Sequence, residues 1–252
     1  MIKSILKKTF SILGYSLHKK KQPRKEQPSM PIEVKRAFNM QGALERCMKR
    51  GLNVSTVIDV GASDGRWSRA CMKSLPDANY FLVEAQSVHQ SGLNQFKEEV
   101  EKGDYVLAAA GKSDGKIFFD NENPFGGLAS ETKLDQNCIE VPVVSIDREL
   151  ERRNLKGPYL LKLDTHGFEV PILEGAKNTI KDASLVIIET YNYKLTHDSL
   201  RFWDMCSYME KLGFVPIEMV DLMLREYDNS FWQMDTFFIP VGSKEFSYNK
   251  YI

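Results

Sequence analysis

Residues 56–67, TVIDVGASDGRW, constrain the fold of this chain more than any other stretch. The segment begins with a β-branched run that is typical of a buried parallel strand. The strand ends at Gly61, and a small-residue loop then leads into a helix predicted over residues 66–75, before Pro76. A strand, a glycine turn and a helix in this order form half of a nucleotide-cofactor site, because the turn lets a ligand lie against the backbone.

A second predicted strand, residues 80–84, ends in an acid about twenty residues beyond the glycine loop. From this position Glu84 would accept hydrogen bonds from the ribose hydroxyls of an adenosine, which both nicotinamide dinucleotides and S-adenosylmethionine contain. The dinucleotide fingerprint G-x-G-x-x-G requires glycine where this chain has Ser63 and Arg66, so the loop favours S-adenosylmethionine. A nicotinamide-dependent oxidoreductase is the alternative, although no Tyr-x-x-x-Lys pair stands out.

The predicted cofactor site combines this loop, the spaced acid and a third apolar strand over residues 105–110. In an adenosine-binding sheet, the loop after the third strand flanks the adenine. An ordinary α/β domain with a chance glycine-rich turn is the alternative interpretation. The residues predicted to bind the cofactor are Asp59, Gly61, Ala62, Ser63, Gly65, Glu84, Ala85, Ala109 and Ala110.

The composition fits one α/β domain with additions. The chain has 252 residues, of which 42% are hydrophobic, enough for a full core. Lys plus Arg and Asp plus Glu number 34 each, so the broad basic surface of a nucleic-acid-binding protein is not expected. The four cysteines are scattered without a C-x-x-C pair, which favours neither disulfides nor zinc and fits a reducing cytoplasm.

Residues 1–31 are predicted to be a separate basic segment and linker, and residues 32–252 the catalytic domain. Apolar residues recur at helical spacing from Ile2 to Leu17, among lysines. Such a helix, over residues 1–21, would lie on an anionic membrane surface, and a docked N-terminal helix is the alternative. No apolar run is long enough to span a bilayer. The protein is therefore expected to be cytoplasmic, with or without peripheral contact at the inner face of the membrane.

The rest of the chain predicts alternating helices and strands. Residues 116–119 and 139–146 are interpreted as a hairpin-like insertion or sheet extension beside the cofactor site. The predicted helices are 32–51, 87–102, 148–154 (capped by Asp147), 168–180 and 197–211, and the remaining strands are 159–163, 185–188, 214–224 and 232–239.

Four acids lie at or next to the predicted ends of core strands: Asp59, Glu84, Asp164 and Glu189. In an open parallel sheet, ligands bind outside the carboxyl ends of the strands. The four acids therefore mark the predicted edge of a ligand site.

The blocks VIDVGASDG, FLVEA, LLKLDTHGFEVPILEGA, LVIIE and QMDTFFI resemble the FkbM-type S-adenosylmethionine-dependent methyltransferases, from about Asn53 to Pro240. The resemblance implies an α/β Rossmann-like methyltransferase fold. Its sheet is seven-stranded and mostly parallel with an antiparallel last strand, and helices cover both faces. The resemblance also implies an O-methyltransferase that acts on hydroxyls of sugars, glycans and some polyketides. Two departures are His166, where many members carry an acid or amide, and Ser63, where a glycine is frequent.

A methyltransferase of this kind holds an acceptor hydroxyl in line with the sulfonium methyl, and a base takes the hydroxyl proton. We predict that Asp164 or His166 is the base, because both follow the strand at residues 159–163. For Asp164 the alternative is a hydrogen-bonding role, and for His166 a surface-loop position.

Lys162 is expected to pair with Glu169 or Glu189. A divalent metal between Asp164 and Glu189 is a further option. The spacing shows no dedicated ligand cluster, so no metal is predicted.

The acceptor is expected to be a small molecule or a lipid-linked glycan. Residues 121–137 and 191–197 are predicted to select it. Tyr191, Tyr193 and Trp232 are candidates for stacking on a sugar face, and ordinary core packing is the alternative for them. A catalytically inactive partner domain in a glycan-assembly complex is an alternative of another class.

Overall fold

The structure, a computed structural model, describes residues 37–133 and 138–252. The predictions for residues 1–31, and the beginning of the helix predicted from residue 32, lie outside the described residues. Within the described ranges, no helix is both long enough and apolar enough to cross a membrane.

Strands and helices alternate through most of the described residues. The strands are β1 (Thr56–Val60), β2 (Asn79–Glu84), β3 (Gly103–Leu107), β4 (Ala109–Ala110), β5 (Gly115–Asp120), β6 (Leu128–Ser130), β7 (Cys138–Val144), β8 (Tyr159–Leu163), β9 (Ala183–Tyr191), β10 (Phe214–Leu224) and β11 (Phe231–Pro240). The helices are α1 (Met40–Lys49), α2 (Arg66–Cys71), α3 (Gln90–Glu99), α4 (Ile146–Arg152), α5 (Glu169–Glu174), α6 (Lys177–Lys181) and α7 (Phe202–Lys211). Short 3₁₀ turns lie at Ser87–His89 and Lys244–Ser247.

A seven-stranded sheet has the order β10–β11–β9–β8–β1–β2–β3. Five strands, β1, β2, β3, β8 and β9, run parallel to their neighbours in this group. β11 is antiparallel to both β9 and β10. The prediction of a mostly parallel seven-stranded sheet with an antiparallel last strand is confirmed.

Helices cover both faces of this sheet, as predicted. Successive side chains of a strand point to opposite faces. On β1, Ile58 and Val60 join an apolar cluster with residues of α4, α5, α6 and α7. Val57 belongs to a second cluster with residues of α1, α2 and α3. The sheet is therefore buried on both faces, which explains the nearly continuous apolar runs of its strands.

A second, four-stranded sheet has the order β4–β7–β5–β6. β5 and β7 are the predicted insertion, and they pair antiparallel. The strand predicted over residues 105–110 is corrected, because it divides between the two sheets. Ala108 donates the last backbone hydrogen bond to Glu84 on β2, and Ala109 and Ala110 then pair with β7.

The helix predicted over residues 168–180 is two short helices, α5 and α6, separated at Gly175. A Cβ on Gly175 would lie 2.0 Å from the carbonyl oxygen of Gly111, so the chain turns at a residue that only glycine fits. The prediction that Asp147 caps a helix at residues 148–154 was wrong. That helix begins earlier, at Ile146, and the Asp147 carboxylate instead accepts hydrogen bonds from the backbone N–H groups of Asn178 and Thr179, at the start of α6.

The last predicted helix, residues 197–211, begins later, at Phe202. Before it, the Ser199 hydroxyl accepts hydrogen bonds from the backbone N–H groups of Leu195 and Thr196. This local turn competes with the helix for the segment after β9.

Candidate active site

A cavity of about 710 Å³ opens at the carboxyl ends of β1, β2, β8 and β9, where an open parallel sheet binds its ligands. The structure describes all eleven residues predicted for the site, and only Asp59 and Gly65 do not line the cavity. The predicted residues that line it are Gly61, Ala62, Ser63, Glu84, Ala85, Ala109, Ala110, Asp164 and His166.

Glu84 ends β2 with a side chain that is held on both sides. Oε2 accepts a hydrogen bond from the backbone N–H of Ser63 at 2.7 Å, and Oε1 accepts one from the backbone N–H of Gln86 at 2.7 Å. Burial raises the pKa of the Glu84 carboxyl, and the two N–H groups oppose that rise. Each carboxylate oxygen has a second lone pair, so the group can also accept hydrogen bonds from a ligand.

The loop after β1 passes close to the end of β8. Gly61 has φ +78°, and a Cβ there would lie 2.0 Å from the carbonyl oxygen of Asp164. The glycine is therefore required by the protein itself, in addition to any ligand. Gly65 has φ +81° and packs near Phe96 and Leu82, so its role is in the backbone of the loop.

Asp59 lies behind the cavity and not in its wall. Its side chain is 0% exposed, and its Oδ2 accepts a hydrogen bond from the Ser68 hydroxyl at 2.7 Å. Burial raises the pKa of Asp59, against the attraction of Lys162. The structure thus gives Asp59 an internal partner on α2.

Lys162 lies between two acids that sequence reasoning did not pair with it. Its Nζ donates to Asp164 Oδ2 at 2.9 Å and is 3.7 Å from Asp59 Oδ1. Burial lowers the pKa of Lys162, but the negative charges of Asp164 and Asp59 outweigh the effect of burial, so the pKa is raised. The expected pairing with Glu169 or Glu189 was wrong. Glu169 instead accepts hydrogen bonds from the Gly167 N–H and the Thr165 hydroxyl, at the start of α5.

Asp164, His166 and Glu189 converge on one point of the cavity wall. His166 Nε2 is 3.8 Å from Asp164 Oδ1 and 3.7 Å from Glu189 Oε2. Burial acts to raise the pKa of Asp164, but the Lys162 ammonium outweighs it and holds that pKa below its usual range. Burial, followed by the negative charge of Asp164, raises the pKa of Glu189 to about 9. These three side chains could accept a proton or hold a cation.

Two residues hold the Glu189 carboxyl, and one of them, Gln233, was not predicted for the site. Gln233, on β11, donates its amide to Glu189 Oε1, and the Tyr191 hydroxyl donates to Oε2. Tyr191 lines the cavity, whereas Trp232, whose ring centroid is 5.7 Å from that of Tyr191, does not. Gln233 escapes sequence analysis because only the antiparallel pairing of β11 with β9 brings it to the site.

The loop between β5 and β6 also forms part of the wall. Pro124, Phe125, Gly126 and Gly127 line the cavity. The Gln86 amide donates to the Pro124 carbonyl at 3.0 Å, so the loop is fastened next to Glu84. Gln86 directly follows the predicted Glu84-Ala85 pair, and this adjacency is the one sequence signal that could have identified it.

Residues 59–216 match the family model described as the methyltransferase FkbM domain. No curated protein matches the chain. Among solved structures, the chain is similar to the methyltransferase FkbM of Methylobacillus flagellatus KT, with a TM-score of 0.49 and 16% identity over 72% of this chain and 43% of that chain. It thus spans less than half of that protein's length.

A second similar structure is the fibrillarin pre-rRNA processing protein of Methanococcus jannaschii. Its TM-score is 0.48, with 14% identity over 81% of this chain and 76% of that chain. The family match covers more than half of the chain, from β1 to the beginning of β10. The chain belongs to the FkbM methyltransferase family.

Proposed function

We propose that the protein transfers the methyl group of S-adenosylmethionine to a hydroxyl oxygen of a sugar, a glycan or a related natural product. The observation that carries the proposal is that one cavity is lined by the side chains that the proposed reaction needs. Glu84 lies in its wall at the end of β2, and Asp164 and His166 lie in the same wall after β8. The residues proposed for an adenosine and those proposed for an acceptor hydroxyl thus share one cavity.

The residues around Glu84 fit an adenosine group. The carboxylate is fixed by the N–H groups of Ser63 and Gln86 and keeps lone pairs for two ribose hydroxyls. Ala109 and Ala110 add small apolar side chains to the wall, where a flat base would lie. The loop after β1 has Ser63 and Arg66 at the second and third glycine positions of the dinucleotide fingerprint, which supports S-adenosylmethionine over a nicotinamide dinucleotide.

When bound, S-adenosylmethionine supplies a methyl group that is already activated by the sulfonium. The acceptor oxygen gains this methyl and loses its proton, which leaves a methyl ether and S-adenosylhomocysteine. The protein itself orients the hydroxyl and receives its proton. Proton acceptance by a positioned base raises the rate about 10²–10⁴-fold.

Two groups are candidates for the proton acceptor. Lys162 keeps the pKa of Asp164 low, so Asp164 is ionised and well suited to accept a hydrogen bond from the hydroxyl. A low pKa also makes it a weak base, which favours His166, whose Nε2 faces the cavity carboxylates. The wall beside them offers Tyr191 as a surface for a sugar ring.

The proposal predicts methyl transfer from labelled S-adenosylmethionine to members of a panel of hydroxyl-bearing glycans, including lipid-linked ones. Replacing the proton acceptor, in His166→Gln or Asp164→Asn, should lower kcat about 100-fold or more without changing cofactor affinity. The control is Glu140→Gln, which removes an exposed ion pair with Lys116 outside the cavity and should keep the wild-type rate. A protein that binds the cofactor yet methylates no hydroxyl in the panel would contradict the proposal and favour an inactive partner domain.

A further inference from the structure

We propose that Asp164, His166 and Glu189 bind one divalent metal ion of the first transition row. One ligand atom from each residue lies within 4.8 Å of the other two. Binding of the ion stands independently of the proposed function. Only its use on an acceptor hydroxyl rests on that function.

The distances from His166 to Asp164 and to Glu189 fit a shared ion better than direct bonds. Nε2 of His166 is 3.8 Å from Asp164 and 3.7 Å from Glu189, both too long for hydrogen bonds. Two ligands of a tetrahedral ion, each bonded at about 2.1 Å, lie about 3.4 Å apart. Both His166 distances are therefore close to the separation of two ligands of one ion, and small side-chain movements would complete the geometry.

The imidazole of His166 is oriented as a metal ligand. Its Nδ1 is 3.3 Å from the carbonyl oxygen of Gly127. A carbonyl only accepts, so Nδ1 carries a proton, and in the neutral imidazole the lone pair of Nε2 faces the carboxyl groups of Asp164 and Glu189. Metal-binding histidines commonly donate their second nitrogen to a backbone carbonyl in this way.

Groups outside the cluster hold the two carboxylates in the same manner. Lys162 occupies Oδ2 of Asp164 and leaves Oδ1 facing His166. Gln233 donates to Oε1 of Glu189, and Oε2, which accepts from the Tyr191 hydroxyl, keeps a second lone pair on the side of His166. Each of the three residues is thus anchored by a partner that is not itself a ligand, the arrangement by which outer groups orient metal ligands.

The donor set selects the class of ion. Carboxylate oxygens suit Mg²⁺ and Mn²⁺, whereas an imidazole nitrogen favours transition metals. Two oxygens and one nitrogen therefore favour Mn²⁺, Fe²⁺ or Zn²⁺ over Mg²⁺. All three side chains line the cavity, so the remaining positions of the ion would face the space for the acceptor.

An ion in this position would bind the oxygen that is to be methylated. A divalent cation lowers the pKa of a coordinated water or hydroxyl, so less is required of a protein base. The lone pair of Nε2 serves either the ion or a proton, and ligation is thus an alternative to the base role of His166.

The test is binding of Mn²⁺ to the full chain after removal of metals with a chelator. Calorimetry should give one ion per chain, and Mn²⁺ electron spin-echo spectra should show a nitrogen coupling from one imidazole. His166→Gln should abolish the nitrogen coupling, and His166→Gln and Glu189→Gln should each weaken binding at least tenfold. Glu140→Gln, outside the cavity, should bind as the wild type does.

Binding of S-adenosylhomocysteine, measured on the same samples, shows that each variant is folded and separates the two proposals. Cofactor binding without saturable Mn²⁺ or Zn²⁺ binding would overturn the metal site and leave the methyltransferase proposal standing. Metal binding that is unchanged in His166→Gln would overturn it as well. Metal binding with the nitrogen coupling, in a chain that binds no cofactor, would support the metal site and contradict the proposed function.

Discussion

In the protein without a bound metal ion, Glu189 is a carboxyl group that stays protonated at neutral pH. It is buried next to the ionised Asp164, and together these raise its pKa to about 9. Its two oxygens meet the Tyr191 hydroxyl and the Gln233 amide. At neutral pH the folded protein therefore binds one proton that the unfolded chain would release, because the pKa of an exposed Glu is about 4.3.

The proton on Glu189 makes the stability of the folded protein depend on pH. Between the unfolded and the folded pKa the native state binds more protons than the unfolded state, so stability falls as pH rises, by up to about 1.4 kcal/mol per pH unit. The stabilising contribution is complete below the unfolded pKa and is lost on approach to pH 9. Glu189→Gln has no proton to lose, so its stability should fall less steeply.

Chemical denaturation of metal-free protein from pH 7 to 9 measures this difference. The window lies above the pKa of Asp235, which burial raises to about 6, so Asp235 contributes little to the slope. Glu140→Gln should retain the wild-type slope. Equal slopes for Glu189→Gln and the wild type would show that Glu189 is already ionised.

Single residues show what a sequence can and cannot reveal about the site. Glu84, Asp164 and Glu189 are predicted at strand ends and do line the cavity. Asp59 lies one position before the end of β1, so the pleat turns its side chain to the α2 face, where Ser68 meets it. Gln233 comes from a distant strand, and no local pattern could place it beside Glu189.

Among the elements, the turn after β1 is the tightest point of the site. It lies against the end of β8, with a Cβ on Gly61 only 2.0 Å from a backbone carbonyl oxygen. Gly213, between α7 and β10, has a similar positive φ of +85°, but a Cβ there meets nothing within 4 Å. Substituting each of these two glycines therefore distinguishes two destabilising effects: the left-handed backbone, which both share, and the close approach to β8, which only Gly61 has.

Gly213→Ala should lose about 1 kcal/mol of unfolding free energy, from the left-handed backbone alone. Gly61→Ala should lose more than about 2 kcal/mol, because the loop must also move away from β8. It should weaken S-adenosylhomocysteine binding as well, whereas Gly213→Ala should not. Urea denaturation and calorimetry check both points, and equal losses in the two variants would refute the role given to the contact with β8.

Element types follow from periodicity, but element ends do not. The apolar runs are clearest in the central strands of the large sheet, because burial on both faces leaves a strong pattern there. The run at residues 105–110 appears as one strand, since nothing local marks the point at which it passes to the second sheet. Asp147 has a capping side chain, yet the helix that it caps lies about thirty residues further along the chain.

The whole molecule is neutral but its charge is divided unevenly. Residues 1–31 contain eight Lys and Arg and one acid, Glu26, so the remaining residues carry a compensating negative charge. We expect the N-terminal segment to hold the protein on anionic membranes, each basic residue contributing about 1 kcal/mol near the surface. This would bring the cavity to a lipid-linked acceptor.

Sedimentation with phosphatidylserine vesicles tests that expectation on the full chain. The wild type should sediment with them at low salt and be released at high salt. Replacing Lys3, Lys7, Lys8, Lys19, Lys20 and Lys21 with Gln should abolish binding. The same number of Lys→Gln changes at exposed lysines within residues 49–181, leaving the buried Lys162 intact, should not. Equal sedimentation of both variants would show that the segment has no such role.

The most direct test of the cofactor site is calorimetric titration of the protein with S-adenosylmethionine and with NAD, repeated on Glu84→Gln. We predict that S-adenosylmethionine alone binds, and that the substitution weakens it at least tenfold, because one carboxylate oxygen can no longer accept a ribose hydroxyl. Binding of NAD, or S-adenosylmethionine binding that is indifferent to Glu84, would contradict the account.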